Sequence, residues 1–231
     1  MTRKSSRGRR RTTAVREPRW SRRKSARPDE ILAAALACFV EKGFGGTRLD
    51  EVAERAGIAK GTLYRYFASK DALFKAVVRN QLGSLIGEAE FALNDDRRAS
   101  ALLEAFLRDL EMKMATAAGA LPRVVLAEAA SFPELAHFYA EEIIERGVGV
   151  LQQLIERGIR AGEFVPVEPR ATAFCIVSPL ILDALFRTGL SPHIDRGARF
   201  TALSQTQMAL VTLGLHPRAS SKTWSRRLPT S

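Results

Sequence analysis

Apolar residues recur at every third or fourth position through most of residues 28–215, and this spacing predicts an all-α protein. The clearest pattern is LDEVAERAGIAKGTLYRYF, residues 49–67. Its first half has one apolar face, formed by Leu49, Val52, Ala53 and Ala56. Gly57 follows where a helix needs a left-handed residue to stop, and Leu63 and Phe67 lie four positions apart beyond it. The segment therefore predicts two short helices joined by a tight turn.

The second of these helices carries cations, hydroxyls and aromatic rings on the face away from Leu63 and Phe67. These residues are Lys60, Thr62, Tyr64, Arg65 and Tyr66. The combination is typical of a helix-turn-helix whose second helix enters the major groove of DNA. An ordinary helical hairpin with a polar outer face has the same spacing, so the pattern alone leaves both interpretations open.

The flanking residues favour the first interpretation. A helix is predicted over residues 31–42, and three glycines end it at Gly43, Gly45 and Gly46. Thr47 stands three residues before Asp50, which predicts a capping box at the next helix. Ser69 can cap a further helix that has Asp71 in its first turn.

Residues 31–74, ILAAALACFVEKGFGGTRLDEVAERAGIAKGTLYRYFASKDALF, resemble the DNA-binding domain of the TetR family of bacterial transcriptional regulators. The residues that carry the resemblance are Gly43, Phe44, Thr47, Ala53, Gly57, Lys60, Gly61, Leu63, Tyr64, Tyr66, Phe67, Lys70 and Leu73. The passage LAEAASFPELAHFY, residues 126–139, is more weakly similar to the regulatory half of some members. The resemblance implies an N-terminal three-helix helix-turn-helix domain followed by a larger helical domain for ligand binding and dimerisation.

The resemblance also implies DNA contacts, with residues 60–67 as the recognition helix. Gly61 would let the backbone approach the DNA closely. Phosphate contacts are expected from Thr47, Lys60 and Lys70, and the rings of Tyr64 and Tyr66 would contact phosphate or thymine methyl groups. The candidates for reading base edges are Arg48, Thr62 and Arg65. Partial core packing of Tyr64 stays open as an alternative.

One residue departs from the family pattern. Ala59 stands where members usually have Ser or Thr as the cap of the recognition helix. Alanine cannot accept the capping hydrogen bond, and this loss typically costs about 1 kcal/mol.

The rest of the body is predicted to be helical. The expected helices are residues 71–93, 99–118, 121–131, 133–161, 170–188 with Pro179 inside, and 198–215. The last two are apolar on most sides, and the resemblance implies that they pair with their mates in a homodimer that binds a pseudo-palindromic operator. Packing within one monomer would explain the same composition.

The middle helices are expected to enclose a pocket for a small apolar or amphipathic effector. The candidate residues are Phe106, Leu110, Leu126, Phe138, Ile143, Phe174 and Pro179, which core packing would explain equally well. The helix over residues 73–93 would transmit a change in this pocket to the DNA-binding domain.

Charge divides the chain into four parts. Residues 1–27 hold twelve Lys and Arg against one acid, a net +11, and are predicted to be a disordered basic arm. Residues 216–231 carry a net +4 and are predicted to be a disordered tail. The DNA-binding domain, residues 28–74, and the effector and dimerisation domain, residues 75–215, together carry −4. The arm is open to two interpretations: a solvated tail or misassigned start, or an arm that attracts phosphate or enters a minor groove.

Other classes of function have little support in the sequence. It contains no G-x-S-x-G, H-E-x-x-H or P-loop motif, so no catalytic residue, metal site or cofactor is expected. Cys38 and Cys175 are predicted to be reduced and buried. The most apolar run, residues 171–182, is too short to span a membrane, and a cytoplasmic protein is expected.

The sequence therefore predicts a sequence-specific DNA-binding transcriptional regulator, and more specifically a ligand-released homodimeric repressor. An activator or a ligand-independent regulator is the alternative. A sequence-nonspecific basic DNA-binding protein or an enzyme would come after these.

Overall fold

A computed structural model describes residues 28–190 and 201–217 of the protein. Those residues form helices and connecting turns, with no strand among them, so the predicted all-α class is confirmed. The predicted basic arm, residues 1–27, and residues 218–231 of the predicted tail lie outside the described residues.

The α-helices follow one another with short connections. They are α1 Pro28–Gly46, α2 Leu49–Arg55, α3 Lys60–Tyr66, α4 Lys70–Val78, α5 Ser84–Ala92, α6 Ala99–Met114, α7 Leu121–Glu128, α8 Pro133–Tyr139, α9 Arg146–Arg160, α10 Pro169–Leu185 and α11 Thr201–Leu215. A 3₁₀ turn, Ala117–Ala120, precedes α7. The predicted boundary between the two domains, after residue 74, falls inside α4.

Helices α1 to α4 close around a small aromatic core. The rings of Phe39, Phe44 and Phe74 have centroids 5.1 to 5.9 Å apart, and Leu63 of α3 is fully buried. Gly43 interrupts α1 with a φ of 74°, a conformation that glycine adopts without strain. The predicted end of the first helix at the glycines is therefore confirmed.

The two predicted N-caps have different outcomes. Ser69 does cap α4, because its hydroxyl accepts the Ala72 N–H at 3.0 Å. The capping box at α2 is wrong. Its cap is Arg48, without a side-chain bond, and the Thr47 hydroxyl instead donates to the Gly43 carbonyl at 2.7 Å.

Three helical runs contain π-helical segments, in which the backbone makes a wider turn. Arg79–Gly83 joins α4 to α5, Ala140–Glu145 joins α8 to α9, and Phe186–Leu190 extends α10. The first two segments pack against each other, and Arg79 and Glu142 form an ion pair between them at 3.0 Å. Such segments are often found at functional sites.

Helix α10 packs on α9 by one face and leaves the other open to solvent. Cys175 lies on the open face, so its predicted burial is wrong, whereas Cys38 is buried. With its extension, Pro169–Gly189 is the one helix in the described ranges that is long and apolar enough to cross a membrane by length and composition. An apolar helix covered by another subunit has the same composition, so this feature alone does not indicate a membrane protein.

Candidate DNA-binding surface and effector cavity

The short helix α3 is held by one side and open on the other. Leu63 anchors it in the aromatic core, and Phe67 packs half-buried at its end. Tyr64 and Tyr66 are 45% and 40% exposed, so the core-packing alternative for Tyr64 is not what the fold shows. Ala59 begins the helix without a side-chain cap, as the sequence indicated.

The exposed face of α3 combines charge with aromatic rings. The guanidinium carbon of Arg65 lies 5.6 Å from the centre of the Tyr66 ring. Arg48, the N-cap of α2, is also exposed, and Thr62 of α3 is half-buried. These side chains can offer guanidinium, hydroxyl and phenol groups to a partner with hydrogen-bond acceptors.

Gly61 is not required by the fold. A Cβ atom at this position would meet no atom within 4 Å, and its φ is not positive. The exposed surface therefore has room for a side chain at Gly61, and the absence of one leaves the backbone accessible to a partner.

Three of the predicted phosphate contacts are engaged within the domain. Lys60 Nζ lies 2.8 Å from Asp50 Oδ1, and this hydrogen bond raises the pKa of Lys60. Lys70 Nζ donates to the carbonyls of Gly45 at 3.0 Å and Thr47 at 3.2 Å. Thr47 itself is buried. Lys70 and Thr47 therefore shape the turn before α2, and Lys60 must leave Asp50 to reach a phosphate.

The DNA-binding domain carries little charge of its own. Residues 28–74 contain six Lys and Arg against seven Asp and Glu, a net charge of −1. Several of the cations are paired, including Lys42 with Glu51 at 2.9 Å and Arg55 with Glu41 at 2.7 Å. The net charge of this domain therefore contributes no general attraction to DNA.

The second domain contains a cavity of about 720 Å³ between α6, α7, α10 and the helical runs α4–α5 and α8–α9. It opens to solvent at its edge, where the lining residues Leu126, Phe174 and Leu182 are exposed. Six of the seven predicted effector residues line it: Phe106, Leu110, Leu126, Ile143, Phe174 and Pro179. Phe138 does not, and its ring instead lies 5.4 Å from Lys75 Nζ and 5.0 Å from the Arg79 guanidinium carbon. The apolar stripe of α8 faces two neighbours, and periodicity could not tell them apart.

Sequence reasoning missed several lining residues, most importantly Tyr139. It is 6% exposed, and burial raises its pKa, so the phenol keeps its proton. Ser178 is the only other hydroxyl among the described lining residues, and it donates to the Phe174 carbonyl at 2.6 Å. The rest of the wall is apolar or glycine.

Helix α7 touches both the cavity and the DNA-binding domain. Its cavity side carries Val125 and Leu126. On one flank of this face Glu128 Oε1 accepts the Gly45 N–H at 2.9 Å, and on the other Arg123 donates to the Val40 carbonyl at 3.0 Å.

The Glu128 contact leaves no space at the glycine turn. A Cβ on Gly43 would come within 2.7 Å of the Glu128 carboxylate. Just beyond α7, the ring of Phe132 lies 4.8 Å from that of Phe44. The turn before α2 is therefore held from two sides, by Lys70 within the domain and by Glu128 from the next domain.

Titratable clusters do not suggest other chemistry. Among residues 28–190 and 201–217, no group of three or more His, Cys, Asp or Glu side chains is placed to hold a metal ion. His137 is exposed and lies 3.2 Å from Glu141 on the same helical run.

Comparison with known families places the two domains independently. Residues 31–77 match the family described as bacterial regulatory proteins, tetR family. Residues 95–198 match the family described as tetracyclin repressor-like, C-terminal domain.

Curated relatives and solved structures agree with these matches. The regulator RutR of Escherichia coli K12 is 30% identical over 156 residues, which are 68% of this chain and 73% of RutR. The activator FasR of Mycolicibacterium smegmatis is 37% identical over 89 residues, 37% of this chain and 41% of FasR. The fold is similar to FadR of Bacillus subtilis in complex with stearoyl-CoA, with a TM-score of 0.59, 21% identity, and coverage of 82% of this chain and 100% of FadR.

Proposed function

We propose that the chain is a homodimeric repressor that a small apolar or amphipathic effector releases from its operator. The chain belongs to the TetR family of bacterial regulatory proteins and is a DNA-binding transcriptional regulator. The main structural support for this proposal is the helical run from Lys70 to Ala92. Lys70, at its start, holds the turn before α2, and Leu82, Leu85 and Ile86, farther along, line the cavity. One structural unit thus contacts both the DNA-binding domain and the effector cavity.

Release follows from linkage between the two sites. An effector that fits the cavity better in a conformation with misplaced recognition helices must weaken DNA binding by the same free energy. Helix α7 is a second connection between them, because it lines the cavity and bonds Gly45 through Glu128. The proposed signal is a shift of these two elements relative to the α1–α2 turn.

The homodimer is supported by the open faces of α10 and α11. Exposed apolar residues follow each other at helical spacing on both helices: Ala171, Phe174, Cys175 and Leu182 on α10, and Ala209, Leu210 and Leu213 on α11. A large contiguous apolar surface on a protein in water marks an interaction site. Two copies would present two helix-turn-helix units to a pseudo-palindromic operator.

The effector class is supported by the cavity and by one structural neighbour. The wall is apolar, and its volume lies in the usual range for small-molecule sites. The Bacillus subtilis neighbour is in complex with stearoyl-CoA, an amphipathic ligand. The regulator would act in the cytoplasm, where it meets DNA.

DNA binding is tested by fluorescence anisotropy on the intergenic DNA beside the protein's own gene, against a scrambled duplex at physiological salt. We expect a preference of about 10³ or more for the intergenic DNA. Arg65→Ala should lower that preference by about 10-fold or more, because a base contact is worth about 1–3 kcal/mol. Arg108→Ala, which removes an equal charge from the exposed face of α6, is the matched control.

Equal affinity for the two duplexes would contradict sequence-specific binding. A preference that Arg65→Ala and Arg108→Ala lower equally would contradict the role of α3.

An activator is the second candidate, because the relative FasR is one. A reporter behind the intergenic DNA distinguishes the two, since deletion of the regulator raises expression if it represses and lowers expression if it activates.

A further inference from the structure

The described side chains that line the cavity are uncharged, a property that its volume alone does not show. None of the described residues that line it is Asp, Glu, Lys, Arg or His. Two charged residues next in sequence to lining residues form ion pairs: Arg146, beside Gly147, with Glu90 at 2.7 Å, and Glu145, beside Ile144, with Arg170 at 2.7 Å. Placing an ionised group in such a space costs several kcal/mol of lost hydration, with no counter-charge to offset it.

Among the lining residues that the structure describes, Tyr139 carries the one side-chain hydrogen-bond donor that is not already bonded to a protein group. Its side chain lines the cavity, more than nine-tenths of the residue is buried, and its hydroxyl has no hydrogen-bond partner among the described residues. The Ser178 proton is already bonded to the Phe174 carbonyl. A phenol hydroxyl that bonds no described protein group in an otherwise apolar wall is free to donate to an acceptor on a ligand.

The backbone around Tyr139 positions it for a ligand. Tyr139 is the last residue of α8, and the wider π turn Ala140–Glu145 begins directly after it. Ile143 and Ile144 of that turn also line the cavity, while Glu142 and Glu145 bond to Arg79 and Arg170 outside it. The turn therefore separates apolar side chains at the cavity from charged side chains outside it, and Tyr139 directly precedes this turn.

We infer that the cavity selects a neutral, largely apolar ligand with one hydrogen-bond acceptor, such as a ketone or ester oxygen, and that the Tyr139 hydroxyl donates to that acceptor. This inference rests on the proposed effector function and narrows it. Hydrocarbons of the same shape bind more weakly because they leave the hydroxyl unpaired. Carboxylates bind more weakly still because they bring a charge into a wall that has none.

Three naphthalene probes of nearly equal size test the three ligand classes. They are 2-acetylnaphthalene, a neutral ketone; 2-ethylnaphthalene, a neutral hydrocarbon; and 2-naphthoate, an anion. Binding to the full chain is measured by displacement of the neutral dye N-phenyl-1-naphthylamine. We expect the ketone to bind about 3- to 10-fold more tightly than the hydrocarbon, the equivalent of one net hydrogen bond, and the anion to bind most weakly.

The Tyr139→Phe variant isolates the hydroxyl. It should bind the ketone and the hydrocarbon with equal affinity, keep its affinity for the dye, and unfold no more easily than the wild type without ligand. The carbonyl stretch of bound 2-acetylnaphthalene should lie at lower frequency in the wild type than in the variant. The control is Thr188→Val. It removes a hydroxyl that lies outside the cavity wall and bonds the Ala184 carbonyl of α10, so it should leave the ketone preference unchanged.

The outcomes separate this inference from the proposed function. Dye binding without a ketone preference, or a preference that survives in Tyr139→Phe, overturns the role of Tyr139 and leaves the effector cavity in place. Tighter binding of 2-naphthoate than of the ketone overturns the neutral ligand class. Failure of the dye and all three probes to bind removes the effector cavity, and with it the proposed ligand release.

Discussion

Gly61 is the residue where folding and DNA binding make different demands. A Cβ atom there would touch nothing in the protein, and its backbone conformation is open to any residue. If the position has a constraint, the constraint comes from a partner that approaches the N-terminal end of α3.

We predict that Gly61→Ala lowers operator affinity without lowering stability. A methyl group that displaces the backbone should remove at least one hydrogen bond to a charged phosphate, about 1.5 kcal/mol or roughly 10-fold in affinity. Helical alanine is favoured over glycine by about 0.5–1 kcal/mol, so the melting temperature should hold or rise. Anisotropy and thermal unfolding measure the two effects.

The control for Gly61 is Gly149→Ala at a half-buried position of α9. A Cβ at Gly149 also meets no atom within 4 Å, and it lies in the other domain. This variant should gain stability and keep wild-type affinity for DNA. Undiminished operator binding by Gly61→Ala would show that the backbone does not approach DNA at this position.

Lys70 and Thr47 show which contacts cannot be predicted from local sequence spacing. The family resemblance implied phosphate contacts for both residues, and local spacing showed only which faces of the predicted helices they share. Lys70, however, bonds carbonyls that lie 23 and 25 residues earlier in the chain. No local pattern contains such a contact, and the expected phosphate roles of both residues stay predictions.

At the scale of elements, α7 links the two domains with few contacts. Glu128 accepts the Gly45 N–H at 2.9 Å, and Val125 and Leu126 of the same helix line the cavity. Since α7 is only two turns long, movement of its cavity side must also move Glu128.

We predict that Glu128→Ala loosens the turn before α2. Loss of a charged hydrogen bond of about 1.5 kcal/mol should speed amide exchange at Gly45 roughly 10-fold, because local opening becomes easier. Hydrogen exchange resolved at residues 43–47 measures this effect. The exposed Glu134 in the first turn of α8 supplies the control Glu134→Ala, which should leave exchange in that turn unchanged. Equal exchange in the wild type and Glu128→Ala would show that α7 does not hold the turn.

Helical periodicity predicted most helices of the second domain, but it did not predict which faces of those helices pack together. Six predicted pocket residues line the cavity because a stripe must face some interior. Phe138 and Tyr139 are neighbours in sequence, yet one packs against cations and the other enters the cavity. The stripe contains both, so only tertiary packing separates them. The π turns that reorient these helices have no recognised sequence signal.

At the scale of the whole molecule, the open apolar faces of α10 and α11 call for a partner. Leu210 and Leu213 are 65% and 61% exposed on α11. We predict that Leu213→Glu yields monomers, because a carboxylate would be buried without a partner in the proposed interface. Sedimentation at micromolar concentration measures the mass. The matched control is Phe91→Glu on α5, where an exposed ring lies outside these faces. Equal masses for both variants would place the interface elsewhere.

The charge distribution gives the last prediction. The DNA-binding domain has a net charge of −1, whereas residues 1–27 carry +11. Each phosphate that a cation neutralises steepens the dependence of log affinity on log salt by about 0.9. A chain that begins at Arg27 should therefore show a slope shallower by several units and weaker binding to every duplex.

Specificity should behave differently from affinity in that truncated chain. Phosphate contacts carry no base sequence, so the ratio of affinities for intergenic and scrambled DNA should stay within about threefold of the full-length value. Anisotropy over a series of salt concentrations gives both quantities from the same titrations. A ratio that falls to one without residues 1–27 would place recognition in the arm instead of in α3. An unchanged salt slope would instead mean that the arm stays in solvent while the folded domains bind.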